Sequence, residues 1–165
     1  MKMSNLVDYL GKVADYIFKS RLIGATYTAY LMREKRFMND CLDLIDLAVF
    51  PCVSRSWIDE TRTFVMSTVE TGMFMEQKKT FEQRIDEFRS MVYGSGEKLT
   101  DIQRETWLAL CCLFSGVIYG PSGDPNIENF TEHICMYFQL DEDVVASLLH
   151  KHFGDVIDAV SFERN

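Results

Sequence analysis

The chain is short of the residues that most often carry chemistry. Its three histidines are His133, His150 and His152, and the close pair stands at i, i+2, a spacing that turns two rings to nearly opposite sides of a helix and excludes a shared metal. The five cysteines, Cys41, Cys52, Cys111, Cys112 and Cys135, are odd in number and form no Cys-x-x-Cys pair. Neither a disulfide framework nor a zinc site follows from them. Basic residues are in deficit, with 17 Lys and Arg against 25 Asp and Glu and a net charge of −8. Without a basic stripe to neutralise phosphates, unspecific nucleic-acid binding is excluded. No apolar run reaches membrane-spanning length, and Asp8 and Asp15 break up the N-terminal apolar residues in a way no signal peptide would. A Gly-x-Ser-x-Gly elbow, a phosphate loop and a His-Glu-x-x-His motif are all missing. The expected setting is reduced and cytoplasmic, with membrane contact only through a partner.

What is present is helical periodicity. At 165 residues, 47% of them apolar and 25% charged, the chain reads as one domain over 1–165, long enough to bury roughly 70% of its unfolded surface. Leu6, Leu10, Val13 and Ile17 form one stripe of a helix over 4–18. After a break at Gly24 a second helix is expected to run to about Phe50, stopped by Pro51. Ser56 and Asp59 suggest the start of a third helix over 57–71, closed by Gly72. Phe74, Phe81, Ile85, Phe88 and Val92 define a fourth, and Gly94-Ser95-Gly96 a loop. Thr100 with Gln103 opens a fifth, apolar all round from Trp107 to Val117 and expected to be the central buried helix at 104–119. Asp124-Pro125 starts a sixth over 125–139, Asp141 caps a seventh to about Phe153, and Gly154 sets off an apolar tail. No strand pattern is sustained. The fold class is all-α, a single-domain bundle of about seven helices.

A helix–turn–helix corner recurs at a distance of 69 residues, with an acidic start to the second helix each time: Leu44, Ala48, Pro51, Ile58, Asp59 and Val65 fall opposite Leu113, Val117, Gly120, Ile127, Glu128 and Ile134. Such a pseudo-repeat suggests two related halves around one core. From Arg33 to about Val145 the chain also resembles the TerB tellurite-resistance family of all-helical proteins. The resemblance lies in Lys35-Arg36-Phe37, the apolar helix to Val49, the turn before Asp59-Glu60, the Lys78-to-Phe88 helix and Leu140-Asp141-Glu142. It implies a TerB-like core over 33–145, preceded by an N-terminal extension over 1–24. It also implies a place in a stress or defence response, and acidic turns associated with divalent cations. Calcium needs several hard oxygen ligands converging at one corner. Here the first turn, Pro51-Cys52-Val53-Ser54, lacks the Asp-Gly of that pattern, whereas Pro121-Ser122-Gly123-Asp124 keeps a Gly and an Asp. Asp124, Glu128 and Glu132 are therefore the candidate metal ligands, with helix capping as the simpler reading of the same residues.

Other groups have structural readings. Asp40, Asp43 and Asp46 share one helix face as a solvated stripe, and Cys111 and Cys112 fit small buried hydrophobes better than reactive thiols. The nine Met and 21 aromatic residues are mainly core. Three consecutive apolar residues, Met73, Phe74 and Met75, cannot all face one core and form a candidate partner-binding patch. The leading expectation is a non-enzymatic TerB-like interaction or cation-sensing module with a protein partner. The alternative is a viral or host helical-bundle protein that binds a partner's helix. A metal-dependent enzyme built on Asp40, Asp43, Asp46 and Glu60 ranks third.

Overall fold

The computed structural model describes residues 3–21, 27–73, 76–115 and 126–162. Seven helices follow one another there, and no strand occurs among the described residues. They are α1 (Met3–Arg21), α2 (Tyr27–Leu42), α3 (Arg55–Thr71), α4 (Lys78–Tyr93), α5 (Asp101–Phe114), α6 (Asn126–Phe138) and α7 (Glu142–Phe162). The chain is an all-α, single-domain bundle. Among the described residues no helix is long and apolar enough to cross a membrane.

Local chemistry explains most of the boundaries. Thr100 accepts from the Gln103 backbone at 3.3 Å while the Gln103 side chain accepts from the Thr100 N–H at 2.9 Å, the reciprocal box expected from the sequence. The same Gln103 amide donates to the Val49 carbonyl at 3.0 Å and so ties the start of α5 to the α2–α3 connection. α3 begins two residues earlier than Ser56 predicted. Ser54 is the capping residue, accepting from Trp57 N–H at 3.2 Å. At its other end Gly72 adopts φ 69°, and the N–H groups of Gly72 and Met73 return to the carbonyls of Val69 and Thr68. Only glycine takes that left-handed turn without penalty. The Asp141 side chain accepts from Asp143 N–H at 2.8 Å, as expected of a cap for α7.

Three expectations need correction. α2 ends at Leu42 rather than near Phe50. Leu44 N–H closes a tight turn on Cys41, Asp43 swings to Arg62 at 2.6 Å, and Asp46 accepts from Ala48 N–H at 2.8 Å. These local bonds compete with the helix, and the irregular segment buries Leu47 and Phe50 while leaving Leu44 and Ala48 exposed. α7 does not stop at Phe153. It bends there, with φ −130° and ψ 15°, and continues to Phe162. The described part of the central apolar helix ends at Phe114 and includes the buried polar residues Glu105 and Thr106. The pseudo-repeat is only partly visible. Ile58 and Ile127 are both buried, as are Val65 and Ile134, but Leu44 is exposed where Leu113 is buried. Val117, Gly120 and the rest of the second turn lie outside the described residues.

The core sits between α2 and α5. Leu31, Phe37, Met38, Cys41 and Leu42 of α2 are fully buried, as are Ala109, Leu110, Leu113 and Phe114 of α5. On the α4 side, Phe88 meets Phe50, Trp57, Trp107 and Phe114 with ring centroids 5.5 to 6.3 Å apart, a mix of stacked and edge-on pairs. The α1 stripe docks on the chain's own bundle. Leu6, Val13 and Ile17 are buried, chiefly against α7, and Arg33 forks onto Asp155 at 2.7 and 3.0 Å to join α2 to the distal half of α7.

Candidate functional site

The deepest polar feature is a pair to which no spacing in the sequence assigns a chemical role. Glu34 and Lys35, adjacent on α2, are both fully buried, and Lys35 Nζ lies 3.8 Å from Glu34 Oε2. Lys35 donates to the Cys112 carbonyl at 2.5 Å, one of the last four carbonyls of α5, which have no partner within the helix. A cation at a helix C-terminus also complements its dipole. Glu34 faces the backbone of Ile127 in the first turn of α6. Neither of its oxygens has a hydrogen bond of good geometry among the described residues. Burial therefore pushes its carboxyl up to about 7, against the opposing pull of Lys35 and the Ile127 backbone. The same burial lowers the Lys35 ammonium. Two neighbouring residues of α2 thus clasp the end of α5 and the start of α6. Periodicity could have flagged them, because both stand on the turns of α2 that bury Leu31 and Phe37.

Of the acidic stripe, Asp43 and Asp46 are exposed just beyond the end of α2, as a solvated face requires, whereas Asp40 is partly buried. Asp40 accepts from Lys151 Nζ at 2.7 Å, and His152 Nε2 lies 2.8 Å from the same oxygen. Partial burial pushes the Asp40 carboxyl up, but those two α7 partners outweigh it and hold it below its ordinary value. Asp43 holds Arg62, whose guanidinium also reaches Asn39, and Asp46 caps the following turn. Glu60 is exposed on α3. Three of the four carboxylates of the enzyme reading are therefore held by different partners, the fourth stands exposed on α3, and among the described residues they form no metal-holding group. His150 turns away from His152 toward Tyr9 and Asp158, as the i, i+2 spacing requires. Glu105, buried in α5, lies 2.7 Å from His133 Nδ1 of α6, although the two atoms are not aligned for a hydrogen bond.

All five cysteines are free; Cys52 is exposed, and the other four are unreactive by environment. Burial raises the thiols of Cys41 and Cys111 well above their ordinary value, and those of Cys112 and Cys135 to about 11. At neutral pH such groups stay protonated and pack as small hydrophobes.

Among the described residues a largely apolar cleft lies between α1 and α6. α1 packs mainly on α7 and only lightly on α6, which leaves a groove of about 520 Å³ floored by Leu6, Leu10 and Cys135. Val7 and Met136 stand on its two walls, 66% and 63% exposed. Gly11 lies one turn beyond Val7, inside a helix where glycine costs about 1 kcal/mol relative to alanine. A Cβ placed there would meet nothing within 4 Å. Intramolecular packing therefore does not account for this glycine. Glu128 and Glu132, one turn apart on α6, and Glu142 at the start of α7 line the acidic side.

Two of the three proposed metal ligands thus stand on this groove, while Asp124 lies outside the described residues. Among the described residues no group of three or more His, Cys, Asp or Glu could hold a metal ion. Of the proposed partner patch, Met73 is 44% exposed at the end of α3, and Phe74 and Met75 lie outside the described residues. Sequence reasoning missed the α1–α6 groove, because neither wall is recognisable until the two helices are side by side. No family model, curated protein or solved structure matches this chain.

Proposed function

We propose that the chain is a non-enzymatic interaction module, a TerB-like bundle of a cytoplasmic stress or defence response, that meets a protein partner along the α1–α6 groove. One observation carries the interaction role: large apolar side chains, Val7 and Met136, face solvent over an apolar floor where the bundle's own packing leaves room. Apolar surface gathered in this way marks binding sites. The TerB assignment and its stress context rest on the resemblance between Arg33 and Val145.

Because Val7 and Met136 project outward, Val7→Asp with Met136→Asp is expected to change stability by no more than about 0.5 kcal/mol per site. The same double variant is expected to lose the partner that the parent captures from its native cells. Undiminished capture by a folded variant would remove the groove from this function.

Cation sensing is a second reading, favoured by the placement of Glu128 and Glu132 on one rim. Calorimetry with calcium is expected to show binding by the parent that is lost in Asp124→Asn. Binding unchanged by that substitution would move the site elsewhere, and absence of heat in the parent would end the reading.

A further inference from the structure

The groove also selects its occupant. Its walls are rows one helical turn apart, Val7 and Gly11 on α1 facing Glu128, Glu132 and Met136 on α6, so a third helix laid between them would bring its own i, i+4 rows into register. None of the lining residues is Lys or Arg. Lys12, the next residue after Gly11, does not line the groove and is taken up by Asp8 at 2.8 Å. Neither Glu132 nor Glu142 has an ion-pair partner among the described residues, and Glu132 is exposed to solvent. A ligand seated here meets an apolar floor, a stretch of bare helix backbone at Gly11 and carboxylates along one side.

Building on the interaction role proposed above, we infer that the occupant is an amphipathic helix of the partner, with an apolar face toward Leu6 and Leu10 and Lys or Arg one turn apart against Glu132 and Glu142. Such helices dock in apolar grooves through i, i+3 and i+4 anchors, and opposite charge on the rim sets which helix is accepted. Gly11 fits the same scheme. The absence of a side chain brings the partner helix close to the α1 backbone, which explains a glycine whose own helix would be more stable with alanine.

The test uses the full chain and three labelled synthetic helices of about five turns, identical on their apolar face and flanked by Lys, Gln or Glu. Fluorescence anisotropy is expected to show the Lys helix binding about tenfold more tightly than the Gln helix, with the advantage shrinking as salt is added. In Glu132→Lys with Glu142→Lys the order of the Lys and Glu helices should reverse. Gly11→Trp fills the groove and is expected to weaken binding of the Lys helix more than tenfold without lowering the melting midpoint, while Gly11→Ala raises that midpoint by about 2–4 °C.

If the Gln helix binds as well as the Lys helix, the charge selection is wrong and the groove reading survives. If none of the helices binds while partner capture still depends on Val7 and Met136, the groove reading survives and the helical occupant is wrong. Binding of the Lys helix that is indifferent to Gly11→Trp would place it away from the groove and overturn the inference. A parent that sediments as a dimer, dissociated by Gly11→Trp, would make a second copy the occupant and overturn it equally.

Discussion

Lys35→Met is expected to destabilise the fold by about 3–5 kcal/mol, because it leaves Glu34 as a fully buried carboxylate with no counter-charge. It also removes the Lys35 donor from the partly buried Cys112 carbonyl, the loss of a charge-assisted hydrogen bond worth about 1.5–3 kcal/mol. Urea unfolding measures the sum. Glu34→Leu combined with Lys35→Met should recover most of the loss, since removing both charges removes the desolvation cost, but not the share that belongs to the carbonyl. The pH dependence has a definite sign. Burial raises the Glu34 carboxyl from 4.5 to about 7, so between those values the folded state binds more protons than the unfolded state. Its contribution therefore makes stability fall as pH rises through that window. The cost of Lys35→Met is accordingly expected to be larger at about pH 8, where Glu34 must either take up a proton or keep an unpaired charge, than at about pH 5, where it is already protonated. A single variant that loses less than about 1 kcal/mol at both values would show that water or movement relieves the pair.

Deleting residues 1–20 is expected to abolish cooperative unfolding. Leu6, Val13 and Ile17 are buried against the bundle, and burying such side chains contributes about 1.5–3 kcal/mol each. The three together approach the whole stability of an ordinary domain, about 5–15 kcal/mol. The deletion also uncovers the apolar face of α7 on which α1 rests. Calorimetry of the truncated chain should show a broad, weak transition or none. A sharp transition near that of the full chain would mean that α1 is an appendage whose stripe serves a partner instead. The deletion removes the Val7 and Gly11 wall as well, so loss of binding in it says nothing about the groove. The substitutions at Val7, Gly11 and Met136 are the ones that separate stability from recognition.

Several features are legible in the amino-acid sequence because they depend on residues close to one another in it. The Thr100–Gln103 box, the turn at Gly72, the Asp141 cap and the opposed rings of His150 and His152 each arise within one or two helical turns, and each is found where the spacing put it. Where the sequence misleads, a contact distant along the chain overrides local pattern. The arc from Phe37 to Ala48 has helical periodicity, yet α2 ends at Leu42, because Asp43 is drawn to Arg62 and Leu47 and Phe50 gain burial by leaving the helix. Asp40 has the pattern of a solvated residue because its partners, Lys151 and His152, stand more than a hundred residues away.

By itself the sequence determined that this chain folds from helices and where most of their capped ends fall, since a helix is closed by bonds between near neighbours and its periodicity is written in order. It also determined the acidic balance that disfavours phosphates as ligands. Only the tertiary structure decided which charges go inside and which surface stays open. Glu34 and Lys35 look like any charged pair until α5 and α6 are brought to them. The groove exists only because α1 leans on α7 and stands off from α6. Desolvation and shape belong to surfaces assembled from distant segments, and no spacing along the chain encodes that assembly.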